Sequence, residues 1–455
     1  MSRPCAEHSQ LYRLATNADL PGGHIDLPSD RHPTWLKNPL VSARFFRVVV
    51  VPTPTDGSKN SHLGAAKAAK NDEFYTQWAD VEREMNAYLE FDPDVFRDKV
   101  ILLPCDDPEW SNFAKFFALH FMDFSLKKLI STSYAPDSNP AKLNYQPTLF
   151  ESESPAFDAI KTHANGKKFT LGANDVNGDG VINIDDLQWE YLEGDGDFRS
   201  DEVTALRDEA DFVITNPPFS LFRQFMTWVV GGGRKISVIG NNNAITYNEV
   251  FPHIRANELW KGATANSTDM VFGVPKGAKV ADADRLKAEK LGYPADDERD
   301  YTRLGNSCWF TNIDHGRRHE PLQLMTKADN IKFSKHKEVR GIGYAPYDNF
   351  DAIEVPFVDA IPSDQDGMMG VPITFLDRYN PDQFEIVGSS EGDYMPSKTY
   401  GPKERVVDGV HMKSNTGTLG CFVRTESFGP GTYFDVGYPV KRIYKRLFIR
   451  RKADS

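Results

Sequence analysis

The sequence predicts an α/β fold: a mainly parallel sheet with helices on both faces, followed by a C-terminal mixed α+β region. Short apolar runs at Val100–Leu103, Leu129–Ser131, Phe212–Thr215 and Ile236–Ile239 read as strands, and Phe113–Phe121, Val203–Ala210 and Leu221–Val229 between them read as helices. Apolar runs without alternation belong to strands buried on both faces, and the intervening helices supply the crossovers that parallel pairing needs. Sheets of this kind bind ligands at the carboxyl ends of their strands.

Taken in order, residues 1–65 are rich in Pro, Gly, Ser and Asn, with little periodicity outside Phe45–Val51, and are expected to form a loosely ordered extension. From Asp72 the pattern changes: Phe74, Trp78, Val81, Met85 and Tyr88 recur at three- and four-residue intervals, which predicts an amphipathic helix. A catalytic-type domain is expected over 66–320, with about 134–194 as an insert because that stretch is longer than an ordinary connection. Past Gly262 the alternation fades and Tyr, Asn, Asp, Gly and Pro become frequent, which sets 321–455 apart as a second region.

At 455 residues, 40% of them hydrophobic, the chain can bury a large core. No apolar run approaches the roughly 18 residues of a membrane span, so no membrane partner is expected. The N-terminus lacks a secretory pattern and Cys5, Cys105, Cys308 and Cys421 show no paired spacing; reduced thiols and a cytoplasmic location are the expectation. A net charge of −12 argues against wholesale coating of nucleic acid, because Lys and Arg carry phosphate affinity. The charge is unevenly spread, however. Acid concentrates between Asp175 and Asp211, whereas Lys441, Arg442, Lys445 and Arg446 open a strongly basic C-terminal segment. That segment reads either as a strand gripping phosphate or as a solvated edge strand blunted by charge.

The strongest chemical signal is a buried-type strand ending in Asn216-Pro217-Pro218-Phe219. Two prolines stiffen the backbone and remove two N–H donors, leaving a rigid corner of acceptors. An amino group conjugated to a ring is a poor nucleophile because its lone pair is delocalised. The Asn216 side-chain oxygen and the Pro217 carbonyl are expected to hold both of its N–H bonds and localise that lone pair, with Phe219 stacked on the ring. The plainer reading is a strand-to-helix turn that uses proline as a stop.

These residues carry a resemblance. From Asn71 to about Ile449 the chain resembles the EcoRI-type family of adenine-specific (N6) DNA methyltransferases. The similarity is densest in Asp72-Glu73-Phe74-Tyr75-Thr76-Gln77, Cys105-Asp106-Asp107-Pro108 with Ser111-Asn112-Phe113, Gly194-Asp195-Gly196-Asp197-Phe198-Arg199-Ser200, and Asn216 to Phe222. Gly240 to Thr246 and Met369 to Leu376 match further. The resemblance implies a class I methyltransferase (Rossmann-like) fold and S-adenosylmethionine as cofactor. It also implies double-stranded DNA as substrate, a flipped adenine receiving the methyl group directly on N6, and a target-recognition role for 321–455. A cognate restriction endonuclease acting separately is the protein partner that such enzymes bring to mind.

By the same resemblance, Phe74, Tyr75 and Thr76 fold over the methionine end of the cofactor and the loop Cys105, Asp106, Asp107, Pro108 meets it, a carboxylate there pairing with its ammonium. Asp197 is expected to accept from the cofactor adenine and Phe198 to pack on its face, with Asn216 at the junction with the base. The ribose contact is left open, since Ser131-Thr132-Ser133-Tyr134 stands where an acidic residue is expected. Without the resemblance, Asp-Pro and Gly-Asp-Gly-Asp are ordinary turns.

An independent motif lies in the insert. Asp175, Asn177, Asp179 and Asp186 fall at positions one, three, five and twelve of an EF-hand-like loop, glycine at six permits the turn, and the Val181 carbonyl falls at seven. A structural calcium ion stapling the insert is the expectation, against an acidic turn without a cation. Two other functions compete with the leading one: a methyltransferase acting on another amino acceptor, an RNA base or a protein glutamine, and a calcium-stapled protein-interaction module.

Overall fold

The structure, a computed structural model, describes residues 74–138, 147, 149–152, 154–264, 269–392, 395–398, 400, 404–413, 420–425 and 432–452. The expected N-terminal extension, 1–65, lies outside them.

The main sheet has eight strands: β2 (Val100–Leu103), β3 (Lys128–Ser133), β4 (Lys167–Leu171), β5 (Gln188–Tyr191), β6 (Phe212–Thr215), β7 (Lys235–Asn241), β8 (Trp260–Lys261) and β11 (Ser307–Thr311). They lie in the order β5-β4-β3-β2-β6-β7-β11-β8. β3, β2, β6 and β7 are mutually parallel, and the remaining strands join antiparallel. The predicted parallel core is therefore present within a mixed sheet. The chain leaves β2 to one side through β3 and returns on the other through β6. That reversal opens a crevice at the carboxyl ends of β2, β3 and β6.

Successive residues of these strands face opposite layers. Ile101, Leu103, Phe212 and Ile214 enter a cluster with Val81, Met85, Tyr88, Phe113 and Phe117, from helices α1 (Trp78–Phe91) and α2 (Asn112–Leu119). Val100, Leu102, Val213, Ile236 and Val238 enter the opposite cluster with Val203, Phe225, Met226 and Val229, from α3 (Asp201–Glu209) and α4 (Phe222–Gly231). Burial on both faces explains why the strands lack polar alternation.

The first helix starts later than its periodicity suggests. Phe74 precedes it, and Tyr75–Thr76 form β1, which pairs with Phe272–Gly273 of β9 (Val271–Pro275) beside β10 (Arg299–Arg303). Long-range pairing wins over local periodicity there.

Beyond residue 320, β12 (Ile353–Glu354), β13 (Met369–Pro372), β14 (Phe384–Ser389) and β20 (Arg446–Arg451) form one sheet. β15 (Glu404–Val407), β16 (Val410–Lys413), β17 (Cys421–Arg424), β18 (Thr432–Asp435) and β19 (Pro439–Ile443) form another. Met369, Val371, Phe384, Ile386, Leu447 and Ile449 share the hydrophobic cluster of α3 and α4. Among the described residues no helix is long and apolar enough to cross a membrane.

Candidate active site

β6 ends at Thr215, and Asn216-Pro217-Pro218-Phe219 turns at its carboxyl tip. The Asn216 Nδ2 donates to the Phe74 carbonyl at 2.6 Å. A carbonyl only accepts, so this bond sets which end of the amide is which and leaves Oδ1 as the other terminus. That Oδ1 is buried without a hydrogen-bond partner, as is Thr76 Oγ1 on the neighbouring strand β1. An unpaired buried acceptor costs about 1–3 kcal/mol, so such atoms mark places where a ligand donor fits. Phe219 is half-buried; its ring lies 5.4 Å from that of Phe74 and edge-on to Phe272. Asn112 Nδ2 donates to the Thr76 carbonyl at 2.7 Å and holds β1 against the N-terminus of α2.

The loop Pro104–Pro108 crosses the tips of β2, β3 and β6. Cys105 takes a left-handed backbone with φ of 68°, and its amide donates to Thr132 Oγ1 at 3.4 Å. Desolvation first, and the neighbouring carboxyls of Asp106 and Asp197 second, push its thiol well up, so it stays protonated. Asp106 is buried, and both carboxyl oxygens are taken by protein: Oδ1 accepts from Ser111 at 2.6 Å and Oδ2 lies 2.5 Å from Thr215 Oγ1. Ser131 Oγ donates to the Asp106 carbonyl. Of the two loop carboxylates, Asp106 is thus turned inward, while Asp107 is half-buried and accepts the Glu109 amide at 3.0 Å.

The turn carrying Asp197 packs on the end of β3, where the Ala135 amide donates to the Asp195 carbonyl at 2.7 Å. Gly196 has φ of 83°, and a Cβ on it would overlap the Ser133 carbonyl. Gly196→Ala is therefore expected to cost about 1–3 kcal/mol and to weaken cofactor binding; paired melting and cofactor titration check it, and an unchanged melting temperature would contradict it. Asp197 lies close enough to Cys105 to act on its thiol. The Arg199 guanidinium grips the same carboxyl, Nε to Oδ1 at 2.9 Å and Nη2 to Oδ2 at 2.5 Å, and holds it below the usual carboxylate range. Phe198 is 2% exposed and packs on Phe225 and Trp228, so its ring supports the turn from the core.

The basic segment divides. Lys441 and Arg442 are exposed on β19, and Tyr444 is 65% exposed in the turn that follows. Lys445 Nζ donates to Thr246 Oγ1 at 3.1 Å, which brings this turn to the Asn241–Thr246 segment at the tip of β7, on the same sheet edge as Asn216. Arg446 is different. Its guanidinium is 11% exposed and paired with Glu354 at 2.6 Å. The expectation that it faces phosphate is corrected, because a buried carboxylate already occupies its fork.

The EF-hand-like loop does not gather its ligands. Asp175 Oδ1 and Oδ2 accept from Gly178 and Gly180 at 2.6 and 2.7 Å, Asn177 from Asp179, and Asp179 from Val181. Asp186 is buried and accepts from Val176 and Asn183 at 2.8 and 3.0 Å. These oxygens cap the loop's own amides. Among the described residues no group of three or more His, Cys, Asp or Glu side chains is placed to hold a metal ion. The calcium expectation for Asp175, Asn177, Asp179, Val181 and Asp186 is set aside. Ile182, Ile184 and Leu187, packed on the α1–α2 cluster, attach the loop.

Thr215, Ser131 and Thr132 were not among the expected site residues. Nothing in their local sequence marks them, since each acts on a loop far away along the chain. Ser111 had a signal: a serine directly before an apolar helical run is a helix cap, and its Oγ accepts from Phe113 and Ala114.

A family model described as adenine-specific methyltransferase EcoRI matches residues 62–428. The chain is 37% identical over 336 residues to the Type II methyltransferase M.EcoRI of Escherichia coli, covering 73% of this chain and 90% of that enzyme. It is 33% identical over 333 residues to the Type II methyltransferase M.MpnI of Mycoplasma pneumoniae, covering 73% and 87%. No solved structure matches the chain. RNA and protein acceptors are not favoured by these relatives, and neither is a protein-interaction module. The chain belongs to the EcoRI family of adenine-specific DNA methyltransferases, and S-adenosylmethionine is the methyl donor that membership implies.

Proposed function

We propose that one adenine, turned out of duplex DNA, is held at the tip of β6 with its N6 amine against Asn216 Oδ1 and the Pro217 carbonyl. The observation that carries this reading is the buried, unpartnered Oδ1 of an amide whose other end is fixed on Phe74. A preset acceptor needs no reorganisation when positive charge develops on nitrogen, and this is where electrostatic stabilisation has most effect. Pro217 and Pro218 keep the ledge stiff, and Phe219 supplies a face for the extruded ring. S-adenosylmethionine supplies an electrophilic methyl group for direct transfer.

The residues present fit that donor. Thr76 Oγ1 is a second unpartnered buried polar atom, and Phe74, Tyr75, Cys105, Asp107, Pro108 and Asp197 are the residues we assign to the cofactor's polar ends. Asp106 and Phe198 brace these residues from behind. Residues 66–320 are assigned as the catalytic domain and 321–455 as the target-recognition region. Lys441, Arg442 and Lys445 form the DNA-facing edge near β7, and a cognate restriction endonuclease is the separate partner proposed.

The test transfers a tritiated methyl group from the cofactor to duplex DNA and digests the product to nucleosides. Label is expected in N6-methyladenine alone. Phe219→Ala should lower the rate about 5- to 150-fold, the range for losing about 1–3 kcal/mol of base stacking. Label in another base, or an unchanged rate in Phe219→Ala, would overturn the assignment.

A further inference from the structure

The contacts around Asp106 allow its proton to be located by counting. Thr215 Oγ1 lies 2.6 Å from the Pro104 carbonyl and 2.5 Å from Asp106 Oδ2. A hydroxyl has one proton, and a carbonyl accepts only. If Thr215 donates to Pro104, Asp106 Oδ2 must itself carry the hydrogen that joins it to Thr215. On the other side, Ser111 Oγ already accepts from the Phe113 and Ala114 amides at 3.1 and 3.4 Å, so its own proton goes to Asp106 Oδ1. Every donor and acceptor is then satisfied in a chain that runs one way, from Ser111 through Asp106 and Thr215 to Pro104. An ionised Asp106 would instead leave two acceptors competing for the Thr215 proton where water cannot help, Thr215 being fully buried.

We propose that Asp106 is a positioning residue held as the neutral carboxylic acid, and that it locks the cofactor loop to the catalytic strand through this one-way chain. Thr215 immediately precedes Asn216, so the lock sets the spacing between the loop that meets the cofactor and the ledge that holds the base. The proposal rests on the reading of Pro104–Pro108 as the cofactor loop. It replaces a carboxylate pairing with the cofactor's ammonium by an uncharged brace.

The surroundings favour the acid form. Burial pushes the Asp106 carboxyl up to about 7, the Ser111 and Thr215 hydrogen bonds oppose the shift, and the Asp107 charge adds to it. β3 faces it with Ser131, β6 with Thr215 and α2's cap with Ser111, all uncharged. The charged or titratable groups nearby are Asp107 and Cys105 on its own loop and Asp197 from the adjoining turn, whose charge Arg199 holds. With the folded value above the ordinary 3.8, the lock is complete at low pH and is lost as pH rises through about 7.

Asp106→Asn separates the alternatives, because an amide copies the neutral acid with a carbonyl for Ser111 and an N–H for Thr215. In the wild type, cofactor affinity should weaken above pH 7, by up to about tenfold per pH unit. The Asn variant should bind within about threefold of wild type at pH 6 and lose that alkaline limb, whereas Thr215→Val should bind about tenfold or more weakly than wild type at pH 6, with the difference closing as pH rises and wild type loses the lock. Difference infrared spectra of wild type against Asp106→Asn should show one protonated-carboxyl band at pH 6 that fades as pH rises. This readout is independent of methyl transfer, so it stands or falls separately from the assignment of the base site. Absence of the band, or a folded Asp106→Asn that no longer binds cofactor, overturns the proposal. Should Asp106→Asn not fold, a shift of the same band in Thr215→Val decides it.

Discussion

Asn216→Ala is expected to reduce methyl transfer about 10²- to 10³-fold in kcat, the loss seen when one preorganised polar group facing developing charge is removed. Two consequences of the geometry shape the result. The substitution deletes Oδ1, the unpaired acceptor, and also Nδ2, which ties the β6 tip to the Phe74 carbonyl. Cofactor affinity should nonetheless fall by no more than about 2- to 13-fold, far less than kcat, because Asn112 independently holds β1 through the Thr76 carbonyl and a net hydrogen bond contributes only about 0.5–1.5 kcal/mol. A fall in kcat with a much smaller change in cofactor Kd marks an interaction made mainly in the transition state. Single-turnover transfer combined with cofactor titration separates the two. Transfer persisting at the wild-type rate would remove Asn216 from the chemistry.

The central strands were legible for a definite physical reason. β2 and β6 are covered by helices on both faces, so their sequences are uninterrupted apolar runs bounded by polar turns, and the predicted limits of both coincide with the observed ones. β11 was not legible. Ser307–Thr311 is just as buried, but it enters antiparallel after β9 and β10, without the preceding helix that a parallel strand announces. β1 was hidden because Phe74 and Trp78 continue a helical spacing, and only pairing with Phe272–Gly273, almost two hundred residues away, makes it a strand.

The site divides the same way. The Asn216–Phe219 corner is local, and its rigidity follows from two adjacent prolines. The state of Asp106 is not local, since Thr215 and Asp106 are 109 residues apart in sequence. Side-chain direction is equally invisible: Asp197 and Phe198 are neighbours, yet one is half-buried beside Cys105 and gripped by Arg199 while the other enters the core. In the EF-hand-like loop the spacing of oxygens was legible, but whether those oxygens face a common centre or their own amides depends on the backbone path.

The basic C-terminal segment shows how far a run of like charges can mislead, and Arg446→Ala tests it. Arg446 and Glu354 are 11% and 10% exposed, and the guanidinium contacts both carboxylate oxygens, at 2.6 Å from Nη2 and 3.0 Å from Nε. Tyr347 also donates to this carboxylate. Because β20 pairs with β13 and β13 with β12, the pair ties one end of the four-stranded sheet across three strands. Removing the arginine leaves a buried carboxylate without its cation, which costs about 3–5 kcal/mol. A denaturation curve should show that loss. Arg446→Met combined with Glu354→Leu should recover much of it, because deleting both charges also deletes the desolvation penalty. A phosphate-gripping arginine behaves differently: its loss would leave the melting temperature unchanged and lower the salt dependence of DNA binding by about one counterion. Lys441→Ala, exposed on β19 of the five-stranded sheet, is the substitution expected to give that second pattern. The two variants together distinguish charge that holds the sheet from charge that meets DNA.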